Sequence, residues 1–186
     1  MRVGILALQG GVEEHALIVR EIGHEPILIK QLSDLSNLEA LILPGGESTT
    51  MALLAKERGL LKGLKSLIGD GIPVFGTCAG AILLAKEVGE KIGLLAEMDI
   101  AVERNAYGGQ LESFETDLKV KGLKESLHGV FIRAPIITKT GSEVEVLARF
   151  KGKPVLVRQG RFLAATFHPE LTADTRIHKL FFTQPF

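Results

Sequence analysis

The sequence predicts an α/β fold of three layers. An open, mostly parallel sheet is flanked by helices, and antiparallel strands are added in the second half. Three observations predict it. Short apolar runs of strand length alternate with helix-period segments through the stretch ahead of Pro73. Glycine-rich turns follow the apolar runs, at Gln9-Gly10-Gly11, Pro44-Gly45-Gly46-Glu47-Ser48 and Gly76-Thr77-Cys78-Ala79-Gly80. Beyond the third turn the helical period fades and short strand-like runs follow one another.

Arg2 to Leu8 is a continuous apolar run, as expected of a parallel strand buried on both faces. Val12 to Ile22 carries Val12, Ala16, Val19 and Ile22 on one helical face and Glu13, Glu14 and Arg20 on the other, with Gly23 as its stop. Ile27 to Ile29 is a second strand, Leu32 to Leu38 a connector, and Glu39 to Leu43 a third strand. A helix over Ser48 to Lys56 is expected to be capped by Ser48 or Thr49. A second helix spans Leu60 to Ile68, and Pro73 to Phe75 closes a buried strand before the third turn. The helix after that turn begins at Ala79 and is expected to run through Lys86. Met98–Arg104, Phe114–Lys121, Val130–Arg133, Val144–Phe150, Pro154–Arg158 and Phe162–Thr166 read as strands, expected as antiparallel additions to the sheet. Ala173 to Phe182 is the one late helix. No linker or repeat divides the chain, so residues 1–186 are expected to form a single domain.

Composition narrows the function. The 22 basic and 22 acidic residues cancel, and no basic run exceeds a dipeptide, so nucleic acid is not expected as a partner. With no Trp and one Tyr there is no stacking platform for bases. No apolar run approaches the ~18 residues of a membrane-spanning helix, and no leader is expected at Met1. A single cysteine, Cys78, makes no internal disulfide and fits a reducing, cytoplasmic setting. His15, His24, His128 and His178 show no ligand spacing and read as surface or packing residues, so neither a metal nor another cofactor is expected.

The chemistry lies in three loops. Gly76-Thr77-Cys78-Ala79-Gly80 has the spacing of a nucleophile elbow, with cysteine in place of serine between strand and helix. The start of a helix favours a thiolate there. Phe167-His168-Pro169-Glu170 follows an apolar strand, and the i, i+2 spacing puts His168 and Glu170 on one side. A thiol nucleophile needs a base, and the base a carboxylate to fix its tautomer; Cys78, His168 and Glu170 supply that set. In Pro44-Gly45-Gly46-Glu47-Ser48, paired glycines let a backbone N–H turn inward. The N–H groups of Gly46 and Ala79 are the candidate oxyanion hole. Singly, each feature has an ordinary reading: a core cysteine, a histidine closing a strand, a glycine turn, arginines at strand ends. Their coincidence carries the argument.

Together the motifs resemble class I, triad-type glutamine amidotransferases. Within that group, Leu43-Pro44-Gly45-Gly46-Glu47-Ser48-Thr49-Thr50, Val102-Glu103-Arg104-Asn105, Phe131-Ile132-Arg133-Ala134-Pro135 and Phe167-His168-Pro169-Glu170-Leu171-Thr172 resemble the glutaminase subunit of pyridoxal 5′-phosphate synthase, the PdxT/SNO family. The resemblance covers nearly the whole chain. It implies that Cys78 is the nucleophile, completed by His168 and Glu170, and that Gly46, Glu47, Ser48, Arg104, Ile132 and Arg133 bind L-glutamine. It places Gln9 near the contact with a separate synthase subunit, which receives ammonia within a large hetero-oligomer, and it implies low activity for the chain alone. Tyr107-Gly108-Gly109 is a variable form of the loop after Arg104, and the chain stops at Phe186, where relatives often continue. The residues also admit hydrolysis of γ-glutamyl peptides, ammonia supply to another synthase, or a non-catalytic partner subunit. Ammonia release from glutamine against γ-glutamyl peptides separates the first two, and labelling of Cys78 by a glutamine-like electrophile addresses the third.

Overall fold

A computed structural model describes residues 1–104 and 113–183 of the chain. Asn105, Tyr107-Gly108-Gly109 and the chain end at Phe186 lie outside the described residues. The first half alternates strand and helix: β1 (Arg2–Leu6), α1 (Val12–Glu21), β2 (Glu25–Ile29), β3 (Ala40–Leu43), α2 (Ser48–Glu57), α3 (Leu60–Gly69), β4 (Val74–Thr77) and α4 (Ala79–Leu84). The second half is mostly strand: β5 (Ala85–Val88), β6 (Lys91–Ile92), β7 (Met98–Glu103), β8 (Ser113–Leu118), β9 (Leu127–Ile132), β10 (Ile136–Thr140), β11 (Glu145–Phe150), β12 (Lys153–Gln159) and β13 (Phe162–Ala165), closed by α5 (Arg176–Phe182).

The main sheet has seven strands in the order β11-β12-β13-β4-β3-β1-β2. The pairs β2–β1, β1–β3, β3–β4 and β4–β13 are parallel, while β12 and β11 add on antiparallel. Burial follows the period of two. Leu41 and Leu43 face a core shared with Met51 of α2 and Leu60 and Leu64 of α3. Ala40 and Ile42 face the opposite core, with Ala16 and Val19 of α1 and Ile177 and Phe181 of α5. Both faces are thus covered, which is why β1 and β3 read as unbroken apolar runs.

Several expectations change; the late helix begins at Arg176 rather than Ala173, and β13, expected as an antiparallel addition, pairs parallel with β4. The late strands do not all extend the main sheet. β10, β7, β5 and β6 form a separate four-stranded sheet, and β8 pairs with β9 as a two-stranded ribbon. The helix after Cys78 ends at Leu84, because Ala85 turns extended (φ −60°, ψ 140°) and opens β5. Ala85 to Val88 then pairs with β7, so sheet pairing overrides a segment whose composition suits a helix. Finally, α2 is capped by neither Ser48 nor Thr49. Glu47, extended at φ −99° and ψ 110°, accepts from the N–H groups of Thr49 (3.0 Å) and Thr50 (2.7 Å).

The register of the parallel strands positions the chemistry. Gly76 of β4 lies opposite Leu43 of β3 and Ala164 of β13. The loops that leave these strands therefore emerge side by side at one edge, as is general for open α/β sheets. Gly80 permits this closeness: a Cβ there would stand 1.9 Å from the Leu43 carbonyl oxygen, a backbone atom. Gly80→Ala is accordingly expected to destabilise the fold by about 1–3 kcal/mol, the usual cost of overpacking, read as a lowered urea midpoint at unchanged slope.

Candidate active site

Cys78 stands between β4 and α4 at φ 47° and ψ −101°, a conformation that non-glycine residues rarely hold. Strain of this kind persists only where the surroundings over-determine it. Here the Cys78 N–H donates to the Ala165 carbonyl (2.8 Å), and its own carbonyl accepts from the Ile82 N–H (3.3 Å). The backbone is pinned on both sides, and Sγ lies 3.9 Å from the carbonyl oxygen of Ile132. The helix behind it, α4, has six residues, so the dipole it presents comes from fewer than two turns.

His168 follows β13 on a segment fixed by a bond from its N–H to the Val130 carbonyl (2.8 Å). Its Nδ1 is 2.8 Å from Oε1 of Glu170, whose side chain is fully buried. A carboxylate only accepts, so Nδ1 carries the proton and Nε2 is left for the thiol. Burial opposes the charged imidazole. Hydrogen bonds to Cys78 and to Glu170, and the charges of both, outweigh it and raise the pKa to about 10. A thiol, an imidazole and a carboxylate thus stand in series, an arrangement able to move a proton away from sulfur and back to a leaving group.

The loops after β1 and β3 interlock in front of this set. The Gly11 N–H donates to the Gly45 carbonyl (3.2 Å), and Gln9 Oε1 accepts from the Glu47 N–H (2.9 Å). In a trans peptide the carbonyl and the next N–H point opposite ways, so the Gly46 N–H is directed away from Gly11. Gly45 is a requirement that the motif did not make explicit. A Cβ there would lie 2.3 Å from Cε1 of His168, so only glycine lets the imidazole pass.

Gln9, Gly46, Glu47, Ser48, Cys78, Arg104, Ile132, Arg133 and His168 line one cavity of about 240 Å³, together with Ile82, which sequence reasoning did not single out. Glu170 sits behind His168 rather than in the cavity, and Ala79 opens α4 beside Cys78, where the first N–H of a helix has no partner within it. The two arginines differ. Arg104 donates from Nη2 to Glu47 Oε1 and from Nη1 to Thr49 Oγ1, both at 2.8 Å. Its guanidinium is therefore already engaged with the carboxylate that caps α2. The Thr49 N–H above all, with Thr50's N–H and the hydroxyls of both threonines, holds the Glu47 carboxyl at about 2 against the opposing effect of burial. Arg133 has no carboxylate partner among the described residues and stands at φ 42°, a second strained residue at the cavity. No group of His, Cys, Asp and Glu able to hold a metal ion occurs among the described residues, and no helix there is long and apolar enough to cross a membrane.

Comparison with known proteins shows the family. The profile of the SNO glutamine amidotransferase family matches residues 5–185. A relative from Kosmotoga olearia named pyridoxal 5′-phosphate synthase subunit PdxT is 50% identical over 187 residues, covering 97% of this chain and 96% of its own. One of the same name from Geobacillus thermodenitrificans is 50% identical over 182 residues, covering 97% and 93%. A crystal structure of a glutamine amidotransferase superposes with a TM-score of 0.90 at 51% identity, covering 96% of each chain. The structure of PurLQS from Thermotoga maritima, at 17% identity and a TM-score of 0.71, covers 97% and 96% and shares the fold.

The raised His168 pKa has a direct reading. In an NMR titration its ring is expected to stay protonated through neutral pH and to lose its proton near pH 10, instead of near the ordinary ~6.5. Since the folded value lies above the unfolded one, the stabilisation it brings is complete below about pH 6.5 and is lost as pH rises through about 10. Glu170→Gln lowers the titration midpoint. A midpoint near 6.5 in the unmodified chain contradicts the hydrogen-bonded series.

Proposed function

Because the chain belongs to the SNO glutamine amidotransferase family, we propose that it is the glutaminase subunit of a pyridoxal 5′-phosphate synthase, releasing ammonia from L-glutamine through a Cys78–His168–Glu170 triad. The observation that carries the proposal is the strained Cys78 beside an imidazole held by a buried carboxylate, both Cys78 and the imidazole lining one cavity.

The Cys78 thiolate attacks the side-chain carbonyl carbon of glutamine, and an S–C bond forms. The carbonyl oxygen takes the negative charge and is held by the N–H groups of Gly46 and Ala79. Each such donor is typically worth ~10²–10³ in rate. As the oxyanion collapses, the C–N bond breaks and the His168 imidazolium gives its proton to the departing ammonia. A γ-glutamyl thioester remains on Cys78. Water, deprotonated by the now neutral His168, attacks the thioester; glutamate leaves and the proton returns to the imidazole–thiolate pair. Glu170 fixes the imidazole throughout. Arg133, which lines the cavity and has no carboxylate partner among the described residues, is the group for the substrate's α-carboxylate, since a guanidinium forks onto two oxygens. Arg104 acts with Glu47 as one preassembled unit of the binding wall, with Ser48 and Ile132 completing it.

Ammonia passes to a separate synthase subunit in a large hetero-oligomer in the cytoplasm. Gln9 is the gating residue. Its side chain holds the Glu47 N–H across the two loops, so a partner that repositions Gln9 resets the loop carrying the Gly46 amide. Neither a cofactor nor a metal takes part in this chemistry. A glutaminase assay with and without the synthase subunit tests the reading. Ammonia release is expected to rise with the partner and to vanish in Cys78→Ala under both conditions. Turnover that survives in Cys78→Ala contradicts the triad, and a rate indifferent to the partner contradicts gating.

A further inference from the structure

Behind Glu170 lies a polar cluster that the proposed chemistry does not use. His15 on α1 and His178 on α5 are both fully buried. Nδ1 of His15 and Nε2 of His178 are 2.8 Å apart. Nε2 of His15 is 3.1 Å from Thr77 Oγ1, next to the nucleophile, and 3.6 Å from Oε2 of Glu170. Among the described residues, that Oε2 and Nδ1 of His178 are buried with no hydrogen-bond partner. The Phe75 ring meets both imidazoles in edge-on contacts. Burial lowers the pKa of His178 to about 4. Burial first, then the charges of His178 and His168, lower that of His15 well below its ordinary value. Both rings are neutral at neutral pH, and each carries one proton.

One proton per ring leaves two arrangements for the 2.8 Å bond. In the first, His178 donates from Nε2 to Nδ1 of His15. His15 then carries its proton on Nε2, facing Thr77 Oγ1 and Glu170 Oε2, and the bare nitrogen of His178 is Nδ1, the atom without a partner. In the second, His15 donates from Nδ1. His178 is left with a buried N–H that no acceptor meets among the described residues, and the His15 lone pair, to which the Thr77 hydroxyl can donate, also faces the Glu170 oxygen. An orphaned buried donor is rarer than an orphaned acceptor. A lone pair aimed at a carboxylate is also repelled, so both considerations select the first arrangement.

We propose that His15, fixed as its Nε2–H tautomer by His178, is a positioning residue that presents a neutral N–H to the outer oxygen of Glu170 and so keeps the inner oxygen on His168. A neutral donor suits this place. It orients the carboxylate without cancelling the charge that steadies the imidazolium, whereas a cation would compete with His168 for Glu170. The titratable groups that face His15 are Glu170, His168 and His178, from the segment after β13 and from α5. The proposal rests on the triad reading above.

Nitrogen NMR of the full chain with labelled histidine reads the tautomers without any turnover. The expected result is a proton on Nε2 of both His15 and His178 at neutral pH. In the complex with the synthase subunit, His15→Phe is expected to lower kcat on the order of 10- to 100-fold at little-changed KM, and to lower the His168 titration midpoint. His15→Gln, which retains an N–H donor, recovers part of both. A proton on Nδ1 of His15 overturns the proposal, and so does a folded His15→Phe variant with unchanged kcat and an unchanged His168 midpoint. Failure of the triad reading is separately visible as turnover in Cys78→Ala, because the tautomers are read without catalysis.

Discussion

The parallel pairing of β3, β4 and β13 is the constraint on which the site depends. Gly76 stands opposite both Leu43 and Ala164, so the glycine loop, the elbow and the His168 segment leave the sheet at one level. A one-residue slip would turn alternate side chains to the wrong face and separate the three loops. The pairing is held by two cores, one on each face, whose residues alternate along β3. The geometry of the site is thus a product of ordinary burial. The same close approach forces glycine at position 80, where the elbow helix meets the Leu43 backbone, and at position 45, where the loop meets the imidazole ring.

On that frame the polar groups are arranged so that few are left to choose their own geometry. Cys78 is held in a strained conformation by backbone bonds in front and behind. His168 is oriented by Glu170, and Glu170 is backed by His15. At the cavity Glu47 serves α2 as cap and Arg104 as counter-ion, which converts two flexible side chains into one fixed wall. Surface pairs of this kind contribute little to stability. Their effect is preorganisation: fewer groups at the cavity are left to be ordered.

Much of this was legible in the sequence, because the signals were local. The apolar runs of β1 and β3 marked a sheet buried on both faces, and the elbow spacing marked Cys78. The His168–Glu170 pair is formed across two residues, within reach of a sequence pattern. What was missed is long-range. His15 meets His178 across 163 positions and Thr77 across 62, so nothing near any of them in sequence distinguishes a positioning residue from a packing histidine. Arg104 and Glu47 are 57 positions apart, and no local pattern in either segment announces their contact with each other. The short α4 and the separate sheet of β10, β7, β5 and β6 likewise follow from pairing partners that composition does not reveal.

The central claim is that one strained cysteine, activated by the buried His168–Glu170 pair, attacks a glutamine side chain. Covalent labelling tests it most directly. The chain, bound to the synthase subunit, is treated with a glutamine-like electrophile, digested and mapped by mass spectrometry, with excess glutamine as competitor. The account predicts a single adduct on Cys78, suppressed by glutamine and strongly slowed in His168→Asn. An unlabelled Cys78, or labelling that glutamine does not suppress, would contradict it.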